Sequence, residues 1–174
     1  MMARIVSGGQ TGVDRAALDV ALALTIPCGG WCPKDRRAED GPLPSRYPLK
    51  ETPSAEYEQR TEWNVRDSDG TLILTRGEPT GGTAMTVGFA KRHGKPCLIV
   101  DLDRRPSSPA ICRWITAQGI RTLNVAGPRD SKSPGIHEAA ATFLRRLLGR
   151  VRRRAVRSRR PRRPAVGARR PSSD

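Results

Sequence analysis

The amino-acid sequence predicts an α/β fold with a mostly parallel sheet of about five strands. Short apolar runs alternate along the chain with segments of helical periodicity, and three of these runs are followed by a glycine-bearing turn. The 174 residues suit one domain of ordinary size, and no internal repeat of fixed period is present. Such alternation is typical of a parallel sheet covered by helices.

Each element is predicted from its own local pattern. The strands are short apolar runs, at residues 4–6, 26–31, 72–74, 96–102 and 122–126. The helices show apolar residues at helical spacing or start signals such as Ser54 and Ser133-Pro134, over residues 13–24, 57–66, 83–93, 108–118 and 134–148. The charged, proline-rich segment 32–54 is predicted to be a long loop, either a binding loop or a solvated surface.

The first turn is the strongest candidate for a binding site, because its glycines allow an anion to approach the backbone amides at a helix start. Its sequence is Ser7-Gly8-Gly9-Gln10-Thr11-Gly12-Val13-Asp14-Arg15. A structural alternative also explains the pattern, since a tight turn favours glycine and Thr11 with Asp14 resembles a capping box. Neither a dinucleotide-binding nor a P-loop fingerprint is present.

Two later turns repeat this arrangement. One contains Arg76 and Gly81-Gly82-Thr83, and the other contains Gly127-Pro128-Arg129. In a parallel sheet, turns that follow strands lie at the same edge, and the ligand crevice forms where the winding direction switches. We therefore expect the three turns to share one pocket for a phosphate-bearing ligand.

Charge and composition divide the chain unevenly. The net charge is +15, and residues 150–174 contain 11 arginines and one acidic residue. We expect residues 1–149 to form the ligand-binding domain and residues 150–174 to be an Arg-rich disordered tail.

The absence of a long apolar run or a signal-peptide pattern favours a cytoplasmic protein without membrane contact. The four cysteines predict reduced thiols, and a metal site is not expected.

At these residues the chain resembles the family of molybdenum carrier proteins. They belong to a Rossmann-like superfamily that includes cytokinin-activating phosphoribohydrolases and the DNA-processing protein. The resemblance covers about residues 3–148, and its matching segments are residues 7–18, 30–34, 36–41, 60–65, 81–83 and 124–129. It implies a Rossmann-like three-layer α/β/α fold, homo-oligomers and binding of the molybdenum cofactor, a phosphorylated pterin that holds a molybdenum oxo group. Molybdoenzymes would be the recipients of the cofactor.

Such an anionic ligand suits particular side chains as well as glycine amides. Arginine forms bidentate contacts to oxyanions, and the candidates for this role, together with one lysine, are Arg15, Lys34, Arg36, Arg37, Arg76 and Arg129. Glu62 or Asn64 could contact the edge of a pterin or purine, although a salt bridge to Arg66 would also explain Glu62. Trp31 and Trp63 are expected either to stack on a ligand ring or to belong to the core.

Two other classes of function remain open from the sequence. Phosphoribohydrolases of the superfamily carry a glutamate three residues after the threonine of their glycine motif, where this chain has Thr86. The lack of that carboxylate favours a binding protein that does not turn its ligand over, so no catalytic residue is assigned. Non-specific binding of nucleic acid is suggested only weakly, by the Arg-rich tail.

Overall fold

A computed structural model describes residues 2–159, with side chains described up to Arg152. The strands, numbered in chain order, are β1 Arg4–Val6, β2 Cys28–Gly29, β3 Trp31–Cys32, β4 Arg37–Ala38, β5 Gly41–Pro42, β6 Lys50–Glu51, β7 Gly70–Thr75, β8 Cys97–Asp101 and β9 Thr122–Ala126. The α-helices are α1 Val13–Ala23, α2 Tyr57–Arg66, α3 Gly81–Arg92, α4 Ser108–Ala117 and α5 Ile136–Arg159.

Five of the strands form one parallel sheet in the order β2-β1-β9-β7-β8. The chain winds from β1 outward to β2 on one side and from β7 outward to β8 on the other, and β9 inserts between the two halves. The winding direction therefore switches at the centre of the sheet, where ligand crevices form in folds of this type. The predicted α/β class is confirmed.

Helices cover both faces of the sheet, because its strands are apolar on both sides. Helices α1, α4 and α5 pack on one face, and α2 and α3 pack together on the other. The larger core lies on the first face, where Leu72 and Val125 are fully buried with Leu144 and Leu147 of α5. Each such side chain stabilises the fold by about 1.5–3 kcal/mol relative to its exposed state.

Residues 32–54, which we call the strap, were predicted to be a loop but contain short pairs of strands. β3 pairs with β6, at the two ends of the strap, and β4 pairs with β5 inside it. The Arg36 guanidinium donates hydrogen bonds to the carbonyls of four strap residues, Leu43, Pro44, Tyr47 and Leu49. Buried Leu43, Tyr47 and Leu49 pack on Leu18 of α1, so the strap is fixed to the domain by its own core.

One suggested helix cap and one predicted helix boundary are wrong for identifiable reasons. Helix α1 begins after Gly12 with no side-chain cap, so Thr11 and Asp14 do not form a capping box. Helix α5 runs to Arg159 rather than ending near residue 148, since buried Val151 continues its apolar face into the core. Residues 150–159 of the predicted tail are therefore helical, and residues 160–174 lie outside the described residues.

Between residues 2 and 159, no helix is long and apolar enough to cross a membrane. Cys28, Cys32 and Cys97 are free thiols, as the sequence predicted.

Candidate functional site

A cleft of about 440 Å³ lies at the carboxyl edge of the central strands. It is lined by the turns that follow β1, β7 and β9 and by one face of α2. The three turns predicted to share a pocket therefore do meet. The lining residues that we had predicted from the sequence are Gln10, Asp14, Gly81, Gly82, Thr83 and Arg129.

The start of α3 forms one open wall of the cleft. Thr80 precedes the helix, and its side chain accepts no capping hydrogen bond. The amides of Gly81 and Gly82 have no partner among the described residues. A Cβ atom added at either glycine would meet nothing within 4 Å, and Gly81 has φ +51°. Unpaired amides at the positive end of a helix, facing open space, favour an anionic group.

Cationic side chains add to this preference. The Tyr57 ring on α2 is surrounded by the guanidinium carbons of Arg37, Arg60 and Arg129, at 5.3, 5.8 and 5.6 Å from its centroid. Arg129 has only a 3.5 Å ion pair with Glu39, and Arg37 has no carboxylate partner within the described chain. Exposed Lys132 also lines the cleft and has no described ion pair. Three cationic side chains, Arg60, Arg129 and Lys132, line the cleft with two carboxylates, Asp14 and Glu58, so its net charge is positive but small.

A buried ion pair forms part of the wall between α1 and α2. Arg60 Nη1 lies 2.8 Å from Asp14 Oδ2, and the two side chains are only 13% and 4% exposed. Burial raises the pKa of Asp14, while Arg60 and the amides of Gln10 and Gly127 act to lower it. Asp14 and Arg60 are therefore paired with each other, while the buried Nε of Arg60 has no hydrogen-bond partner among the described residues.

Gln10 is held in one orientation by the backbone. Its Oε1 accepts hydrogen bonds from the amides of Thr11 and Glu39, both at 3.0 Å. Its buried Nε2 has no partner among the described residues, although Gln10 lines the cleft. An unpaired buried donor costs free energy, so an acceptor on a ligand in the cleft would relieve this cost.

Gly8 and Gly9 do not line the cleft, contrary to their predicted role. A Cβ atom at Gly8 would overlap the Arg60 guanidinium, and one at Gly9 would lie 2.6 Å from Leu49 Cδ1. Gly9 also has φ +75°, a conformation that favours glycine. These glycines make room for the protein's own side chains rather than for a ligand.

Thr11 and Arg15 also contact the protein rather than the cleft. Arg15 donates to the Gly9 carbonyl and forms an ion pair with Asp40 at 2.6 Å, which lowers the pKa of that carboxyl group. Thr11 donates a hydrogen bond to Glu39 of the strap. Both residues therefore attach the strap to the turn after β1.

Glu39 is the residue that joins the strap to two of the three turns. Besides Thr11, its carboxylate accepts a 2.5 Å hydrogen bond from Ser131 Oγ and lies 3.5 Å from Arg129. Burial acts to raise the pKa of Glu39, but the hydrogen bonds from Ser131 and Thr11 outweigh it, so this pKa lies below its ordinary value. The side chain of Glu39 is 19% exposed, and its charge keeps the turns after β1 and β9 in place.

The remaining predicted residues lie elsewhere. Lys34 is exposed on the strap, Arg36 holds its four carbonyls, and Arg76 pairs with Asp103 at 3.4 Å. Asn64 exchanges two hydrogen bonds with the backbone of Trp31, which is a structural link between α2 and β3. Glu62 contacts His93 rather than Arg66.

The two tryptophans do not reach the cleft either. Their rings, Trp31 and Trp63, pack edge to face with centroids 4.8 Å apart, and Trp31 Nε1 donates to Asp67. Both tryptophans therefore have a structural role between β3 and α2.

Sequence reasoning missed the contribution of α2 to the cleft. Tyr57, Arg60 and Thr61 all line it, and their spacing of three and four residues places them on one helical face. That spacing was available from the sequence, but only the packing of α2 beside the turn after β1 shows that this face meets the cleft. Lys132 was also missed, because it lies beyond the glycine turn.

The fold and the cleft define a Rossmann-like domain with an open cleft at the carboxyl edge of its sheet. The chain belongs to the circularly permutated YpsA SLOG family, whose sequence profile matches residues 5–148. It is 49% identical to the "Putative molybdenum carrier protein" of Syntrophus aciditrophicus SB, whose crystal structure aligns with a TM-score of 0.82. The alignment covers 84% of this chain and 95% of that one. No curated protein matches. The family resemblance predicted from the sequence is confirmed.

Proposed function

We propose that the cleft binds the molybdenum cofactor, or a related phosphorylated pterin or nucleotide, without turning it over. The observation that carries this proposal is the open start of α3, where unpaired amides of Gly81 and Gly82 face the same cleft as Arg129 and Lys132. A phosphate at the helix start and a second anionic end near the cations would match these groups.

The name of the Syntrophus relative supports molybdenum cofactor as the cargo. That cofactor is anionic at its phosphate and at its metal-oxo end, so it suits a cleft with glycine amides and guanidinium groups. Its pterin also offers hydrogen-bond acceptors, which fits the unpaired Nε2 of Gln10. Delivery to molybdoenzymes would then be the role of the protein.

The absence of turnover is supported by the chemistry of the site. Thr86 is buried and donates its hydroxyl to the Gly82 carbonyl at 2.9 Å, so this position supplies no carboxylate. Asp14 is neutralised by Arg60. Hydrolysis of a glycosidic bond needs a carboxyl group that is free to act on the substrate.

One observation favours a second candidate, a hydrolase of nucleoside monophosphates. Glu58 is exposed, lines the cleft from α2 and has no described ion pair. It could supply the carboxylate that is missing at Thr86. Release of free base from AMP or GMP that disappears in Glu58→Gln would identify the protein as this enzyme instead.

Thermal melts with added ligand test the binding proposal. Molybdenum cofactor, AMP, GMP and pyrophosphate are added separately, and a ligand selective for the native state raises the Tm. Gly82→Leu fills the open space before α3 and should abolish the shift, whereas Gly88→Leu makes the same exposed change later in α3 and should retain it. The proposal is wrong if none of the four probes raises the Tm, or if Gly82→Leu retains the full shift.

A further inference from the structure

A second groove, distinct from the cleft, lies between α5 and the turn that follows β8. Its volume is about 650 Å³, and three guanidinium groups from separate segments line it. Arg76 follows β7, Arg105 follows the short 3-10 helix Leu102–Arg104, and Arg146 belongs to α5. The groove is open to solvent on the side of α5 where Thr142 is exposed.

The outer face of α5 extends this positive charge along the helix. Arg145, Arg146, Arg150 and Arg152 are all exposed, and none forms an ion pair with a carboxylate of the described chain. Arg146 and Arg150 are four residues apart, so they lie one above the other on the helix surface. Arg105 also has no described acidic partner.

Few acidic groups lie near the groove. Asp103 lies 3.4 Å from Arg76, and Asp101 lies 3.3 Å from Arg104. Glu138 lines the groove, contacts His137 Nδ1 at 3.4 Å and is 80% exposed, so its charge offsets one of the three guanidinium groups. Arg76 also donates to the carbonyl of Pro134 at 2.9 Å. The carboxylates therefore leave an excess of positive charge over the groove and α5.

The side chains of this face favour phosphate groups over apolar or aromatic ligands. Arginines without acidic partners suit phosphate groups, to which they donate bidentate hydrogen bonds. The exposed large apolar residues of the described chain are Leu22, Met85 and Ile99, and none lies on this face. A lipid surface would need apolar side chains to insert, and a single strand would need aromatic rings to stack on its bases.

We propose that the groove and the outer face of α5, which we call the arginine face, bind the phosphate backbone of a nucleic acid duplex without sequence preference. From Thr142 to Arg152 the helix spans about 15 Å, a length over which one duplex strand presents roughly four phosphates. The sequence continues with further arginines beyond Arg152. This surface uses none of the residues that line the cleft, so it does not depend on the proposed ligand.

The test compares two full-length variants that each lose two positive charges. Arg105→Ala/Arg146→Ala removes charge from the arginine face, and Lys91→Ala/Arg121→Ala removes the same charge from exposed positions elsewhere. Fluorescence anisotropy of a 20-base-pair DNA duplex is recorded from 50 to 200 mM salt. Both variants keep the Arg-rich C-terminal segment, so its contribution cancels.

We expect Arg105→Ala/Arg146→Ala to weaken duplex binding about tenfold at 50 mM salt, and to reduce the slope of log K against log salt by about 1.8. The Lys91→Ala/Arg121→Ala variant should keep its duplex affinity within about twofold of that of the unmodified chain, and its salt slope within about 0.5. Equal losses in the two variants would overturn the proposal, because net charge alone would then explain binding. The proposal also fails if the arginine-face variant retains duplex affinity but loses binding to phosphatidylserine vesicles.

Discussion

Gly8-Gly9 after β1 and Gly81-Gly82 at the start of α3 are similar in sequence and lie at the same edge of the sheet, but their surroundings are opposite. The first pair is covered by Arg60, Leu43 and Leu49 of the same chain. The second pair has no atom within 4 Å of its missing side chains. A glycine motif alone therefore does not distinguish a packed turn from a binding surface.

The difference arises because the strap covers the first turn and not the second. The strap, with its buried Tyr47 and its Glu39 contacts, covers the turn after β1. Nothing in the described chain covers the start of α3 in the same way. The packed turn contributes to stability, and the open turn is available to a ligand, so substitutions should separate the two properties.

The largest effect is expected for Gly9→Val. A β-branched residue at φ +75° is strained by about 1–2 kcal/mol, and the contact 2.6 Å from Leu49 adds an overpacking cost of about 1–3 kcal/mol. We therefore expect the free energy of unfolding, measured in urea, to fall by roughly 2–5 kcal/mol.

The milder Gly9→Ala provides the control, since it keeps the strain at φ but adds less bulk, and its loss should be about half as large. If the turn after β1 bound the ligand, as the sequence predicted, Gly9→Val would weaken ligand binding directly. If the folded fraction of either variant binds ligand much more weakly at unchanged stability, the turn after β1 belongs to the site after all.

An intermediate effect is expected from the carboxylate that holds the strap. The pKa of Glu39 is lowered in the folded state, so its stabilising contribution is present above its ordinary pKa and is lost as the pH falls through the lowered value. Glu39→Gln should lower the free energy of unfolding by about 1 kcal/mol at pH 7. The neutral amide has one acceptor oxygen, so it cannot accept from Thr11, Ser131 and Arg129 together. The cost should shrink between pH 5 and 3.

Urea unfolding at a series of pH values measures this difference between Glu39→Gln and the unmodified chain. Asp40→Asn serves as the comparison, since its partner Arg15 also lowers its pKa but its side chain is 49% exposed, so a smaller loss is expected. A cost for Glu39→Gln that is constant from pH 7 to pH 3 would show that the charge of Glu39 does not hold the strap.

The sequence predicted the elements of this fold better than their arrangement. The strands at residues 4–6 and 122–126 and the helix at 57–66 match, because each carries its own apolar pattern. The order of strands was not predictable, since the insertion of β9 between β1 and β7 depends on contacts far apart in the chain. The strap was predicted as a loop because its order comes from Arg36 and Tyr47 rather than from a periodic pattern.

Similar reasons decide how much of the candidate site was predicted. The meeting of three turns follows from the topology of a parallel sheet, so it could be expected from the glycine positions. Which arginines reach the cleft depends on tertiary packing: Arg15 and Arg36 bind carbonyls of their own chain, whereas Arg60 enters from α2. No local pattern separates these roles, because each arginine lies in a polar stretch.

The smallest effect on stability is expected for Gly82→Leu, although this substitution should abolish ligand binding. Its backbone does not require glycine, and a Cβ atom there meets nothing, so leucine introduces no strain in the folded chain. Leucine also favours a helix over glycine by up to about 1 kcal/mol, which offsets the exposure of an apolar side chain. Urea unfolding should therefore give a free energy within about 0.5 kcal/mol of that of Gly88→Leu, which lies at an equally open position of α3. A loss comparable to that of Gly9→Val would show that the start of α3 is packed in solution, and the contrast between the two glycine pairs would then be wrong.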